Sequence, residues 1–240
     1  RCCSASGGSG TIEYIYTDAI VECNGFFCGG IVGNLKDDAS IQECWFDGAI
    51  KINGSCAGGI AASANDGKSA IHHCLNTGTV TSTYPGPDAA IIGGIIGSIT
   101  KKINITDTLN VGTVVSEAEL EQVGGLIGML SGGTAKIDAL WTANDVAPDR
   151  VGYAKSGFEG AYGDCRLDQM MNLDFDKHWA IVEDGTPVLQ HFAETVPEIP
   201  EGLERAYFAD VSWFNIKYNE FEISTPEELL GLARLTEMGE

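Results

Sequence analysis

Apolar and polar residues alternate in a short block that recurs five times along the chain. Its copies are TIEYIYTDAIV (11–21), SIQECWFDGAI (40–50), AIHHCLNTGTV (70–80), NITDTLNVGTV (104–114) and KIDALWTANDV (136–146). The second position is always isoleucine: Ile12, Ile41, Ile71, Ile105 and Ile137. The fifth holds Ile15, Cys44, Cys74, Thr108 and Leu140, and the last holds Val21, Ile50, Val80, Val114 and Val146. The seventh (Thr17, Phe46, Asn76, Asn110, Thr142) and the ninth (Ala19, Gly48, Gly78, Gly112, Asn144) share their parity. A period of two predicts strand, with these columns facing a core. Asn144 stands where other copies have glycine. That exchange predicts a left-handed backbone corner at the ninth column, because Gly and Asn adopt that conformation most cheaply.

A second motif falls between the blocks: GGIVG at 29–33, GGIAA at 58–62, GGIIG at 93–97 and GGLIG at 124–128. The steps are 29, 35 and 31 residues, and the long one contains the turn-like insertion at 83–88. A unit of about 30 residues cannot bury its own apolar face, but stacked units can. Equivalent strands would then pair in parallel at about 4.8 Å, so five coils would stand about 25 Å tall. The predicted fold is all-β: a parallel β-helix (β-solenoid) of about five coils, right-handed by the rule for parallel crossovers.

The repeat fades after residue 147. Trp179 and Pro187-Val188-Leu189, with Asp184-Gly185 as the turn, predict a C-terminal capping hairpin. An acidic stretch with two prolines follows at 194–205 and reads as a linker. Ser224-Thr225-Pro226-Glu227-Glu228 then reads as a helix start, with Leu229, Leu232, Ala233 and Leu235 at helical spacing. The expected organisation is solenoid repeats over 1–147, their cap over 148–193, a linker over 194–209, and over 210–240 the partial start of a further module with a short α-helical segment.

The GGIxG motif alternating with an I-x-x-C-x-N-x-G-x-V block resembles the GLUG repeat of bacterial surface proteins. The resemblance is clearest at 71–80 and 89–114 and covers roughly residues 9–147. The fifth block departs from it, lacking both the Cys and the usual glycine. The W…DGTPVL segment at 179–189 resembles the closing segment of such domains, and ISTPEELLGLA at 223–233 resembles the entry helix of another solenoid module. The resemblance implies an extracellular, adhesin-like β-helix without chemistry of its own.

Composition narrows the function classes. Glycine is abundant at 31 residues and proline is only 7, which fits repeated tight backbone positions better than low-complexity disorder. A formal charge of −20 repels phosphate backbones and anionic lipid. No apolar run is long enough to span a membrane. The chain begins with Arg1 inside what reads as a repeat, so it is expected to be a fragment of a longer protein. Seven of the eight cysteines lie in the first 74 residues, and none has zinc-site spacing.

Five groups carry candidate chemistry. Tyr14, Glu43, His73 and Asp107 share a column that would stack acid, imidazole and acid, an acid–base arrangement or an outward polar ladder. Asp18 and Asp47 are equivalent on adjacent coils, like a glycosidase pair, but the chain is poor in the Lys and Arg that hold acidic sugars. Asp37-Asp38, Asp145 with Asp149, and Asp174 with Asp176 are oxygen-rich but match no calcium motif. Cys44 and Cys74 would stack as thiols packing like small hydrophobes, or as a disulfide. Tyr16, Trp45, Leu75, Leu109 and Trp141 form a stripe of opposite parity, a partner or glycan surface if exposed and packing if covered.

No group supplies a nucleophile with its base and an oxyanion site, so no catalytic, cofactor or metal residues are assigned. The expectation is a non-catalytic extracellular structural or adhesion module on a bacterial cell surface. Its partners would be host or extracellular proteins or glycans, not nucleic acid. The alternative is a carbohydrate-binding or polysaccharide-active β-helix protein.

Overall fold

A computed structural model describes residues 10–83, 90–116, 122–141, 149–155, 162–164, 173–181 and 187–193, with 140, 141 and 162–164 as backbone only. The chain divides into two compact units, 1–165 and 166–240.

The first unit is a parallel β-solenoid. Its first coil contains β1–β5: Thr11–Glu13, Tyr16–Thr17, Ile20–Cys23, Phe27–Gly29 and Val32–Leu35. The second contains β6–β10: Ser40–Gln42, Trp45–Phe46, Ala49–Ile52, Cys56–Gly58 and Ala61–Ala64. The third contains β11–β15: Lys68–His72, Leu75–Asn76, Thr79–Ser82, Ile91–Gly93 and Ile96–Ile99. In the fourth, β16 (Lys102–Asn110) runs through the corner that divides its counterparts, followed by β17 (Val114–Ser116), β18 (Val123–Gly124) and β19 (Ile127–Leu130). A partial fifth coil adds β20 (Ala135–Trp141), β21 (Val151–Ala154) and β22 (Tyr162–Asp164). Two ladders have four rungs each, β3-β8-β13-β17 and β4-β9-β14-β18, so the stack makes about four full turns where five were expected.

Pairing follows the sequence columns. Ile12 registers with Ile41, Ile41 with Ile71, Ile71 with Ile105 and Ile105 with Ile137. These isoleucines, with Ile50, Val80 and Val114 from the last column and Ile60, Ile95 and Leu126 from the glycine motifs, form one continuous core. Burying each Ile or Leu contributes about 1.5–3 kcal/mol, which makes the ladders the main source of stability.

The glycine pairs have a steric cause. A Cβ on Gly93 would lie 2.2 Å from the Ile96 carbonyl oxygen, inside its own turn. A Cβ on Gly94 would lie 2.2 Å from the Gly125 oxygen of the next coil and 2.0 Å from the Asn110 side chain. Gly30 and Gly59 face Phe46 and Asn76 in the same way. Each pair therefore lets the backbone double back while admitting the seventh-column side chain of the coil that stacks there.

Two expectations are corrected. The left-handed corner is not at the ninth column, where Gly48, Gly78 and Gly112 lie outside that region of φ. Those glycines exist for space: a Cβ at Gly48, Gly78 or Gly112 would lie 2.1–2.3 Å from the carbonyl oxygen of Ala19, Gly48 or Gly78, respectively. The corner is instead at the fourth column, where Tyr14, Glu43, His73 and Asp107 have φ of 57°, 51°, 47° and 44°. The second correction is to register. Coil five lacks this corner residue, so Thr108 pairs with Ala139, Leu109 with Leu140 and Asn110 with Trp141. Trp141 therefore stands beside the asparagine column and not in the stripe of Leu109.

In the second unit, β23 (Trp179–Ile181) and β24 (Pro187–Leu189) form the expected antiparallel hairpin, followed by a 3₁₀ turn at Gln190–Phe192. Trp179, Val188 and Leu189 are buried. The Asp184-Gly185 turn, the linker, the helix over 224–235, Asp145 and Asn144 lie outside the described residues.

Candidate functional site

The fourth-column corner gathers the titratable groups. A left-handed residue turns the chain by one step, and the fifth-column side chain closes over it. Cys44 Sγ donates to the Gln42 carbonyl at 3.2 Å, Cys74 Sγ to the His72 carbonyl at 3.1 Å, and Thr108 Oγ1 to the Thr106 carbonyl at 2.9 Å. Thiol (Cys44, Cys74) and hydroxyl (Thr108) substitute for one another in this column because both are small enough for the core and both donate. Cys44, Cys56 and Cys74 are free thiols. Burial pushes the Cys74 and Cys56 thiols well above the ordinary range, so both remain protonated and unreactive.

Stacking places His73 between two carboxylates. Its Nδ1 lies 3.7 Å from Glu43 Oε1 and its Nε2 3.4 Å from Asp107 Oδ2. Glu43 is buried, and His73 and Asp107 are half-buried. The preceding residue, His72, shares a 2.5 Å hydrogen bond between Nδ1 and Thr106 Oγ1. Burial holds its imidazole below the usual range, and the neighbouring His73 adds to the effect while Asp107 opposes it. The predicted column is thus assembled, as an acid–imidazole–acid ladder tying three successive coils.

Asp47 anchors a second polar group. Its carboxylate accepts from Tyr16 Oη at 3.3 Å and from Thr77 Oγ1, and Thr77 Oγ1 accepts from Trp45 Nε1 at 2.8 Å. Tyr16 and Trp45 pack edge to face with centroids 5.2 Å apart. Partial burial, then Asp47 and Asp18, raise the Tyr16 phenol above its ordinary range. Asp47 is therefore a hydrogen-bond hub joining three coils.

The stripe divides along its length. Tyr16 is exposed and Trp45 intermediate, whereas Leu75 and Leu109 are buried. Among the acidic loop candidates, Asp37 has a left-handed φ of 54°, and Asp38 Oδ1 accepts the Lys68 amide at 3.0 Å. Asp174 pairs with Lys177 at 3.6 Å.

One polar feature was not foreseen. Asn76 and Asn110 are wholly buried in the seventh column. Asn76 Nδ2 donates to Asn110 Oδ1 at 2.7 Å and to the Gly94 carbonyl at 2.9 Å. Asn110 Nδ2 donates to the Gly125 carbonyl at 2.7 Å. Their Oδ1 atoms accept the Gly78 and Gly112 amides at 3.1 and 3.2 Å. This ladder pins the ninth-column turn to the glycine pair across the core. The available signal was Asn at an inward-facing position two residues before glycine.

These features define the class: a parallel β-solenoid whose polar residues form ladders between coils. No family model, curated protein or solved structure matches the chain.

Proposed function

We propose that this chain is a non-catalytic structural module that spaces or displays other domains of a bacterial cell-surface or secreted protein, as its resemblance to GLUG repeats implies. The observation that carries this reading is the engagement of the candidate acids. Glu43 and Asp107 flank His73, and Asp47 is held by Tyr16 and Thr77, so both groups serve as ties between coils. A general acid or base needs a lone pair or proton directed at substrate, and these groups direct theirs at one another. The strongly acidic composition suits a solvated extracellular spacer.

A second reading, glycan or protein binding through Tyr16 and Trp45, is favoured by one observation: these two aromatics retain exposure where Leu75 and Leu109 do not. The test is a glycan-array and matrix-protein screen of wild type and Trp45→Ala, with turnover assays on acidic and neutral polysaccharides. The spacer reading expects neither turnover nor a Trp45-dependent ligand. Turnover abolished by Asp47→Asn would overturn it, and a ligand lost in Trp45→Ala would establish the second reading.

A further inference from the structure

The chain is poor in cationic side chains, with 14 Lys and Arg against 34 Asp and Glu, yet the fold brings four lysines together. Lys68 and Lys102 register directly on adjacent strands of the sheet that contains β11, β16 and β20. Lys136 registers with Asn104, one coil further on and two residues along from Lys102. Lys101 lies on the turn before β16, and the equivalent residues of the neighbouring coils, Gly67 and Gly133, add no side chain beside it. All four lysines are exposed. Exposure belongs to the column and not to an end of the stack: Asp38, Lys68, Lys102 and Thr134 hold one outward position on four successive coils, and each is exposed. Among the described residues, none of the four lysines has an ion pair. Two neighbouring carboxylates are engaged by backbone: Asp38 accepts the Lys68 amide and Asp66 the Gly67 amide. No acid occurs within 100–104 or 131–136, and Asp138 borders the patch. Like charges facing each other across a ladder destabilise a sheet, so folding does not explain Lys68 beside Lys102.

We propose that this face binds a linear anionic glycan, a polyuronate, laid along the solenoid axis with its carboxylates on successive lysines. Charge complementarity sets the sign of the ligand, and three features set its class. Coils rise by about 4.8 Å, close to the length of one pyranose residue, so a chain with one charge per sugar meets Lys68 and Lys102 on consecutive rungs. Asn104 and Thr134, both exposed on the same face, offer amide and hydroxyl groups that suit sugar hydroxyls. No Phe, Tyr or Trp stands within 68–72, 102–106 or 134–138 to stack a nucleobase. The net charge of −20 also opposes the dense phosphates of nucleic acid more than the single charge of each uronate. The site shares no residue with Tyr16 and Trp45, and it does not depend on a spacer role.

Isothermal titration calorimetry of the full 240-residue chain with a galacturonate oligomer at low salt tests this. Binding is expected, and it should weaken as salt rises. A double variant, Lys68→Gln with Lys102→Gln, should lose affinity by about tenfold or more. Its melting midpoint should stay level or rise, because a repulsion is removed. Lys68→Arg with Lys102→Arg should retain binding. Lys51→Gln, on β8, and Trp45→Ala should leave it unaltered. No binding at low salt overturns the proposal, and so does binding that survives Lys68→Gln with Lys102→Gln. Equal binding of the uncharged methyl ester overturns the role of charge. Equal binding of single-stranded DNA or polyglutamate overturns the assignment to a glycan.

Discussion

Two of the bends in the coils solve opposite problems. At the glycine pair, backbone angles are ordinary for any residue, but space for a Cβ is missing: the Gly94 position lies against the Gly125 oxygen and Asn110. At the fourth-column corner the angle is unusual, and it is borne by Tyr14, Glu43, His73 and Asp107. The glycines of the GGIxG pairs and of the ninth column therefore mark a close approach between coils, while a varied column can conceal a left-handed backbone. The difference matters because L-residues pay about 1–2 kcal/mol in that conformation, and the fifth-column donors and the His73 ladder offset it.

The largest test of this contrast is Gly94→Ala. Its Cβ would meet the next coil's backbone, so overpacking predicts a loss of about 3 kcal/mol in urea unfolding. Loss below about 0.5 kcal/mol would show that the coils can part and that steric approach is not the reason for the glycine. Next is Asn110→Ala, which strips partners from the Gly112 amide, the Gly125 carbonyl and Asn76. About 2 kcal/mol should be lost, and a double-mutant cycle with Asn76→Ala should show strong coupling. At the other bend the sign reverses. Tyr14→Gly should raise stability by up to about 1 kcal/mol by relieving the positive φ. A clear loss there would mean that Tyr14 contributes contacts worth more than the strain.

The smallest effect concerns His72. Folding holds its imidazole below the usual range, so on acidification the unfolded chain binds this proton first. Its contribution is complete above the ordinary histidine value of about 6.5 and declines as pH falls below it. Thermal midpoints should therefore drop between pH 7.5 and 5.5, and drop less in His72→Gln. Equal drops in both proteins would remove His72 as a cause.

Much of this architecture was legible in the chain. The Ile12-to-Ile137 column, the seventh- and ninth-column parity and the GGIxG spacing predicted parallel stacking, and the registers of the first four coils follow the aligned blocks. The candidate column of Glu43, His73 and Asp107 was legible as well, because equal register numbers become neighbours once coils stack. Other features were not. Alignment carried Trp141 into the column of Leu109, since sequence gives no sign that coil five omits its corner residue. Exposure along the Tyr16-to-Leu109 stripe was equally hidden: its members share parity, yet Tyr16 is open and Leu109 covered.

By itself, then, the sequence determined the period, the inward-facing columns and hence the solenoid, because burial at period two permits one face and stacking is the way a repeat of this length covers it. Tertiary structure alone decided which column bends to positive φ, how Asn76 and Asn110 bridge to the glycine pairs, and which aromatics stay exposed. Those outcomes depend on distances between coils of about 5 Å, and a linear pattern records which residues recur but not how closely their neighbours approach.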